Sequence, residues 1–296
     1  DNNDQVGLWP YNGPMKDIAY NPDSTPGNIK LIGVEDSYGD SYIDSIELSN
    51  YYIQDSQQAE QTWDQQCSGD GCYWENFYNM VGIATLVEGD VNVVYALTDG
   101  GDLFAATLTS GPAVLTGAGV AKRPTFITKD ATDNAIYIGQ EGKGSGHGIV
   151  RYAFNPATIK WQKDAIWGAG KGQINASNPS QMFSDKLTAG TISTLGGLWV
   201  VDNQFDNGSG ERRYLIQMST STGQIVLATE LLNSSSQSLD YDIGGITWDS
   251  ANNQFIAVTN GFGSDGKIWK YGYPTDQSGE QASGGHAIQN CANPCD

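Results

Sequence analysis

A strand pattern that returns about every 45–50 residues, five times along the chain, limits what this sequence can fold into more than any other feature. Its clearest copy runs Gly245-Ile246-Thr247-Trp248-Asp249, a polar turn, Phe255-Ile256-Ala257-Val258-Thr259, a glycine loop, then Lys267-Ile268-Trp269-Lys270-Tyr271. Each run is short, rich in β-branched and aromatic residues, and bounded by Asn, Asp or Gly. One copy therefore reads as an antiparallel meander. A meander leaves two faces and two edges to cover, and a ring of meanders covers them.

The five copies occupy about 17–64, 79–118, 123–165, 186–232 and 242–275. Expected strands in the fourth are Gly190–Thr194, Gly197–Val201, Arg213–Met218 and Gln224–Thr229. Val93–Leu97 is wholly apolar, as a strand covered on both faces requires. Asp133-Asn134, Gly196-Gly197 and Asn252-Asn253 mark tight turns that need positive φ. Trp63, Trp161, Trp199, Trp248 and Trp269 fall in or beside strands and read as core between sheets. The fifth copy lacks an evident fourth strand. Gln5-Val6-Gly7-Leu8-Trp9 and Ala287-Ile288 are the two candidates to complete it and close the ring.

Helix-forming runs are missing, Gly and polar turn residues abound, and only 17% of residues are charged, which suits an all-β domain. No apolar stretch approaches the ~18 residues of a membrane span. The net charge of −19 repels nucleic acid and anionic lipid, so neither is an expected partner. It suits solubility outside the cell, cation-holding carboxylates or a halophilic source. The four cysteines form two close pairs, Cys67/Cys72 and Cys291/Cys295. Two local disulfides are the first reading, and a bridge from the 276–296 tail to the first inter-unit loop is the alternative. Zinc is disfavoured, since the chain has only two His. An oxidising compartment follows: secreted, or periplasmic in a bacterium. The chain opens without Met and reads as a mature form.

In such a unit the loop between second and third strands shares an end with the loop into the next unit. Both classes are rich in polar residues here, and the opposite end carries mostly short turns. At the rich end His147 is the general-base candidate, with Glu141 to orient it and Arg151 to neutralise an acidic substrate group. Tyr73, Trp74 and Tyr78 form the densest aromatic cluster; with Arg123 and Lys143 they are the expected ligand-binding residues. Aromatic faces beside polar groups hold sugars; a satellite core pinning the cysteine loop is the competing reading. Asp17, Asp202, Asp206 and Asp242 are candidate calcium ligands, because Ca²⁺ takes six to eight oxygens of the kind these Asp/Asn/Gly segments offer.

The repeat resembles the β-propeller superfamily over nearly the whole chain, from about Asp17 to Tyr273. The resemblance implies an all-β, five-bladed propeller of four-stranded antiparallel blades, with the ring closed by a chain terminus. Five-bladed glycosidases place an acid near the start of successive inner strands; Asp17 holds such a place, and units two and three have no match. Tachylectin-like lectins carry more uniform repeats than these. No family's catalytic residues carry over. The expectation is a monomeric, secreted, calcium-binding propeller that takes a glycan or small polar ligand. A carbohydrate-active lyase or hydrolase on the same face is the alternative, and a structural or adhesive surface protein the second.

Overall fold

The computed structural model describes residues 15–21, 28–37, 40–49, 52–58, 80–88, 91–107, 114–117, 119–141, 148–155, 157–158, 160–167, 183–184, 186–206, 211–232, 237–239, 241–260, 268–274 and 287–290. They form five four-stranded antiparallel sheets, each built from consecutive strands. The first holds β1 (Met15–Tyr20), β2 (Asn28–Ser37), β3 (Asp40–Ser49) and β4 (Tyr52–Gln58). The second holds β5 (Met80–Glu88), β6 (Val91–Thr98), β7 (Leu103–Thr107) and β8 (Val114–Gly117). The third holds β9 (Pro124–Asp130), β10 (Ala135–Gln140), β11 (Gly148–Asn155) and β12 (Lys160–Lys163). The fourth holds β13 (Leu187–Ile192), β14 (Leu198–Asp206), β15 (Glu211–Met218) and β16 (Ile225–Glu230). The fifth holds β17 (Ile243–Asp249), β18 (Gln254–Thr259), β19 (Ile268–Gly272) and β20 (Ala287–Asn290).

The first strands β1, β5, β9, β13 and β17 pack side by side in that order, and β17 packs back against β1. Second strands are apolar on both faces because each face meets a different neighbour. Leu198 and Val200 enter the core between sheets three and four, while Trp199 and Val201 enter the one between four and five. Val94 and Ala96 face sheet one, and Tyr95 and Leu97 face sheet three. The period of two thus divides one strand between two cores. Each fully buried aliphatic or aromatic side chain contributes on the order of 1.5–3 kcal/mol. Trp199, Trp248 and Trp269 are core as expected, Trp161 is half-buried, and Trp63 lies outside the described residues.

Near its start every first strand skips one residue in pairing with the second: Lys16, Val81, Thr125, Thr188 and Gly244. The bulges align the first strands with one another. Asp17, Gly82, Phe126, Ala189 and Gly245 follow at one level, and Ile18, Ile83, Ile127, Gly190 and Ile246 at the next. Contacts between sheets obey this register. Asp17 accepts a hydrogen bond from Ile83 N at 2.9 Å. A Cβ on Gly82 would lie 2.7 Å from Ile127 N, and one on Gly245 2.6 Å from Ile18 N. The Phe126 ring fills the place where Gly190 has no Cβ. All five first strands therefore run the same way.

Their middle residues line a central cavity of about 120 Å³. Three levels surround it: Ile18, Ile83, Ile127, Gly190 and Ile246; then Ala19, Ala84, Thr128, Thr191 and Thr247; then Tyr20, Thr85, Lys129, Ile192 and Trp248.

The structure differs from the sequence expectation at several boundaries. β13 starts at Leu187, not Gly190, and β14 runs on to Asp206. Glu35 and Asp36 lie within β2, and Asp40 opens β3. The fifth sheet is completed by β20, the later of the two candidates. Gln5–Trp9 lies outside the described residues. The expected positive φ values occur at Asn134 (47°), Asn253 (52°), Gly196 (114°) and Gly197 (86°).

Candidate functional site

Because the first strands run the same way, one end of the array carries all their starts. The segments 59–79, 164–186 and 231–242, which join one sheet to the next, leave and return at that end. So do the connections between second and third strands. The opposite end has mostly short turns, with 273–286 the long exception.

At this end the residues just before β9, β13 and β17 hold equivalent places. Arg123, Lys186 and Asp242 each accept a hydrogen bond through their carbonyl, from Glu141 N (2.9 Å), Asn203 N (3.0 Å) and Asn260 N (2.7 Å). These bonds anchor the start of a first strand to the end of the second. Arg123 adopts a left-handed φ of 47°, which costs a non-glycine residue about 1–2 kcal/mol. Its neighbour Lys122 donates its N–H to Gln140 Oε1 at 3.0 Å. Lys122, Arg123, Glu141 and Lys186 are all exposed.

The expected site residues are placed as follows. Glu141 and Arg123 come together through the bond above. Arg151 does not join them: it pairs with Tyr137, about 10 Å along the hairpin from the Gln140–Gly148 pair. Its guanidinium is taken by Asp164 (2.9 Å), Asp133 (3.7 Å) and the Tyr137 hydroxyl (3.3 Å). Burial opposes the charge on Arg151, yet Tyr137 and Asp164 hold its pKa above the ordinary value. Burial likewise pushes the Tyr137 hydroxyl up to about 12. His147, Lys143, Tyr73, Trp74, Tyr78, Cys67, Cys72, Cys291 and Cys295 lie outside the described residues, as does the Asp206 side chain.

The other carboxylates meet donors. Asp17 is fully buried and accepts N–H groups from Ile18 and Ile83, both at 2.9 Å. Burial pushes its carboxyl well above the usual range, against the lowering effect of backbone donors from Ile83, Ile18 and Ile127. Asp202 accepts from Ser184 N (2.6 Å), the Ser184 hydroxyl and Gln204 N (3.0 Å). Asp242 accepts from Arg213 Nε and Nη2 at 3.2 and 2.9 Å. Among the described residues no three His, Cys, Asp or Glu side chains converge as a metal site.

Lys186 is absent from the sequence-level site. Reading the strand from Gly190 leaves Lys186 away from the strand starts; with Leu187 as the first residue and Thr188 bulged, Lys186 falls level with Arg123.

No family model and no curated protein matches this sequence. Solved structures similar in fold include a chain of the nidogen/laminin complex, at 13% identity and a TM-score of 0.46, covering 77% of this chain and 70% of that one. Another is hydrazine synthase of Kuenenia stuttgartiensis, at 10% identity and 0.42, covering 92% and 65%. A third is the β-propeller domain of Cps50 (Swd1) from Myceliophteria thermophila, at 9% identity and 0.44, covering 90% and 67%. The β-propeller architecture itself stands on the five meanders and the cavity their first strands share.

Proposed function

We propose that this chain is a secreted five-bladed β-propeller, its last blade completed by β20, that works as a binding module for a glycan or other small polar ligand. The observation that carries the reading is the size of the central cavity set against the surface at the end where the first strands begin. About 120 Å³ admits water or an ion, whereas organic ligands occupy pockets of about 300–1,000 Å³. A sugar must therefore lie on the surface and not in the cavity. The end where the first strands begin has the exposed polar side chains and the long connections for that task. Calcium bound by the acidic connections, with Asp206 among its ligands, would order this surface.

A glycan array tests the proposal: selective binding is expected, and an array with no hits would overturn it. For calcium, the expected result is a melting temperature that falls with chelator and recovers when the ion returns; an unchanged value sinks the metal claim. The alternative of a lyase or hydrolase draws on one observation, the backbone bond that sets Glu141 beside Arg123 at this end. It predicts turnover of a polysaccharide that Glu141→Gln abolishes.

A further inference from the structure

We infer that Lys122, Arg123 and Lys186, with Lys163 at the rim, form a subsite for the carboxylate groups of an acidic polysaccharide lying across sheets three and four. The inference rests on the glycan reading above and narrows its ligand class. In a chain with 34 acids and 15 bases, most bases are expected to find an acid. Arg151, Arg212 and Arg213 do, with Asp164, Glu230 and Asp242 at 2.9–3.0 Å. Lys122, Arg123, Lys163 and Lys186 are exposed, and among the described residues no acid pairs with any of them.

All four lie at one end of two adjacent sheets. Lys122 and Arg123 precede β9, Lys186 precedes β13, and Lys163 closes β12, which ends where β9 begins. β9 and β13 pack against each other, so Arg123 and Lys186 stand at the same level at the starts of neighbouring strands. From β9 to β12 the sheet is about 14 Å wide. Cations strung over that width suit an extended chain with a charge on each sugar better than one compact anion. Nucleic acid, with a negative charge every ~1.7 Å of duplex, meets far stronger repulsion from a molecule of charge −19 than a polyuronate does. Arg123 also holds its exposed side chain on a strained left-handed backbone, where glycine would cost less.

The test is titration calorimetry of the full chain with polygalacturonate and with its fully methyl-esterified, neutral form, at low and high salt. Binding of the acid form, weakened by salt and lost on esterification, is expected. The Lys122→Gln/Arg123→Gln/Lys186→Gln variant should bind at least tenfold more weakly with its melting temperature unchanged. Equal binding of acid and ester would overturn the carboxylate subsite while leaving the glycan reading intact. Binding of neither polymer, with an empty glycan array, would overturn both. Retention of affinity within twofold by the triple variant, or tighter binding of a DNA oligonucleotide, would overturn the placement or the ligand class.

Discussion

Asp17 is the one carboxylate among the residues that follow the five bulges, and it sits where the N–H groups of Ile18, Ile83 and Ile127 converge. Its folded-state pKa lies above the unfolded value of 3.8. The stability this adds is complete below the unfolded value and is lost as pH rises through the folded one. Asp164 has the opposite sign. Burial raises it, but the N–H groups of Ile166 and Trp167 and the Arg151 guanidinium together hold it below 3.8. Its contribution is present above the unfolded value and lost as pH falls through the folded one. Urea titrations across pH separate the two: stability relative to Asp17→Asn should fall as pH rises, and stability relative to Asp164→Asn should fall as pH drops. Phe126 supplies a second residue-level prediction. Its buried ring lies against Gly190 and Gly139, where a Cβ would come within 2.3 and 2.2 Å of ring carbons. Gly190→Ala is expected to cost about 1–3 kcal/mol. Combined with Phe126→Leu it should cost less than the sum of the two changes, measured by denaturation.

At the scale of the element, two features recur and only one is visible as a motif. The turns between first and second strands repeat an acid that caps its own turn: Asp130 accepts N–H groups from Thr132 and Asp133, and Asp249 those of Ala251 and Asn252. Each turn ends on an Asn at positive φ. Asn134→Gly should therefore leave stability within about 0.5 kcal/mol, whereas Asn134→Val should cost about 1–2 kcal/mol, both read from urea midpoints. The bulges carry no such signature. Lys, Val, Thr, Thr and Gly occupy them, because a bulged residue is defined by what its partner strand skips. This is why Lys186 stays hidden and why β14 reads four to five residues short: Asp202-Asn203-Gln204 looks like a loop until Ser184 and the start of sheet five satisfy it. Asn203 exchanges two hydrogen bonds with Ile243, through Nδ2 to its carbonyl (3.0 Å) and through Oδ1 from its N–H (2.9 Å).

Across the whole molecule, each described core lies between consecutive sheets, so no sheet can fold its two faces alone. Stopping the chain after Tyr273 removes β20 and leaves β19 as an unpaired edge. A single unfolding transition at lower temperature is expected, together with concentration-dependent association; an unchanged transition without association would show that β20 is dispensable. The amino-acid pattern by itself determined the all-β class, the five meanders, the turn residues with positive φ and the apolar second strands. Those are local consequences of periodicity and backbone sterics, written in neighbouring residues. Tertiary structure alone decided the pairing of Phe126 with Gly190, the burial of Asp17 on backbone amides, the capture of Arg151 by Asp164, and the grouping of Arg123 with Lys186. Three of these join different sheets at the level that the one-residue bulges of the first strands set, and Arg151 meets Asp164 across the β11–β12 hairpin.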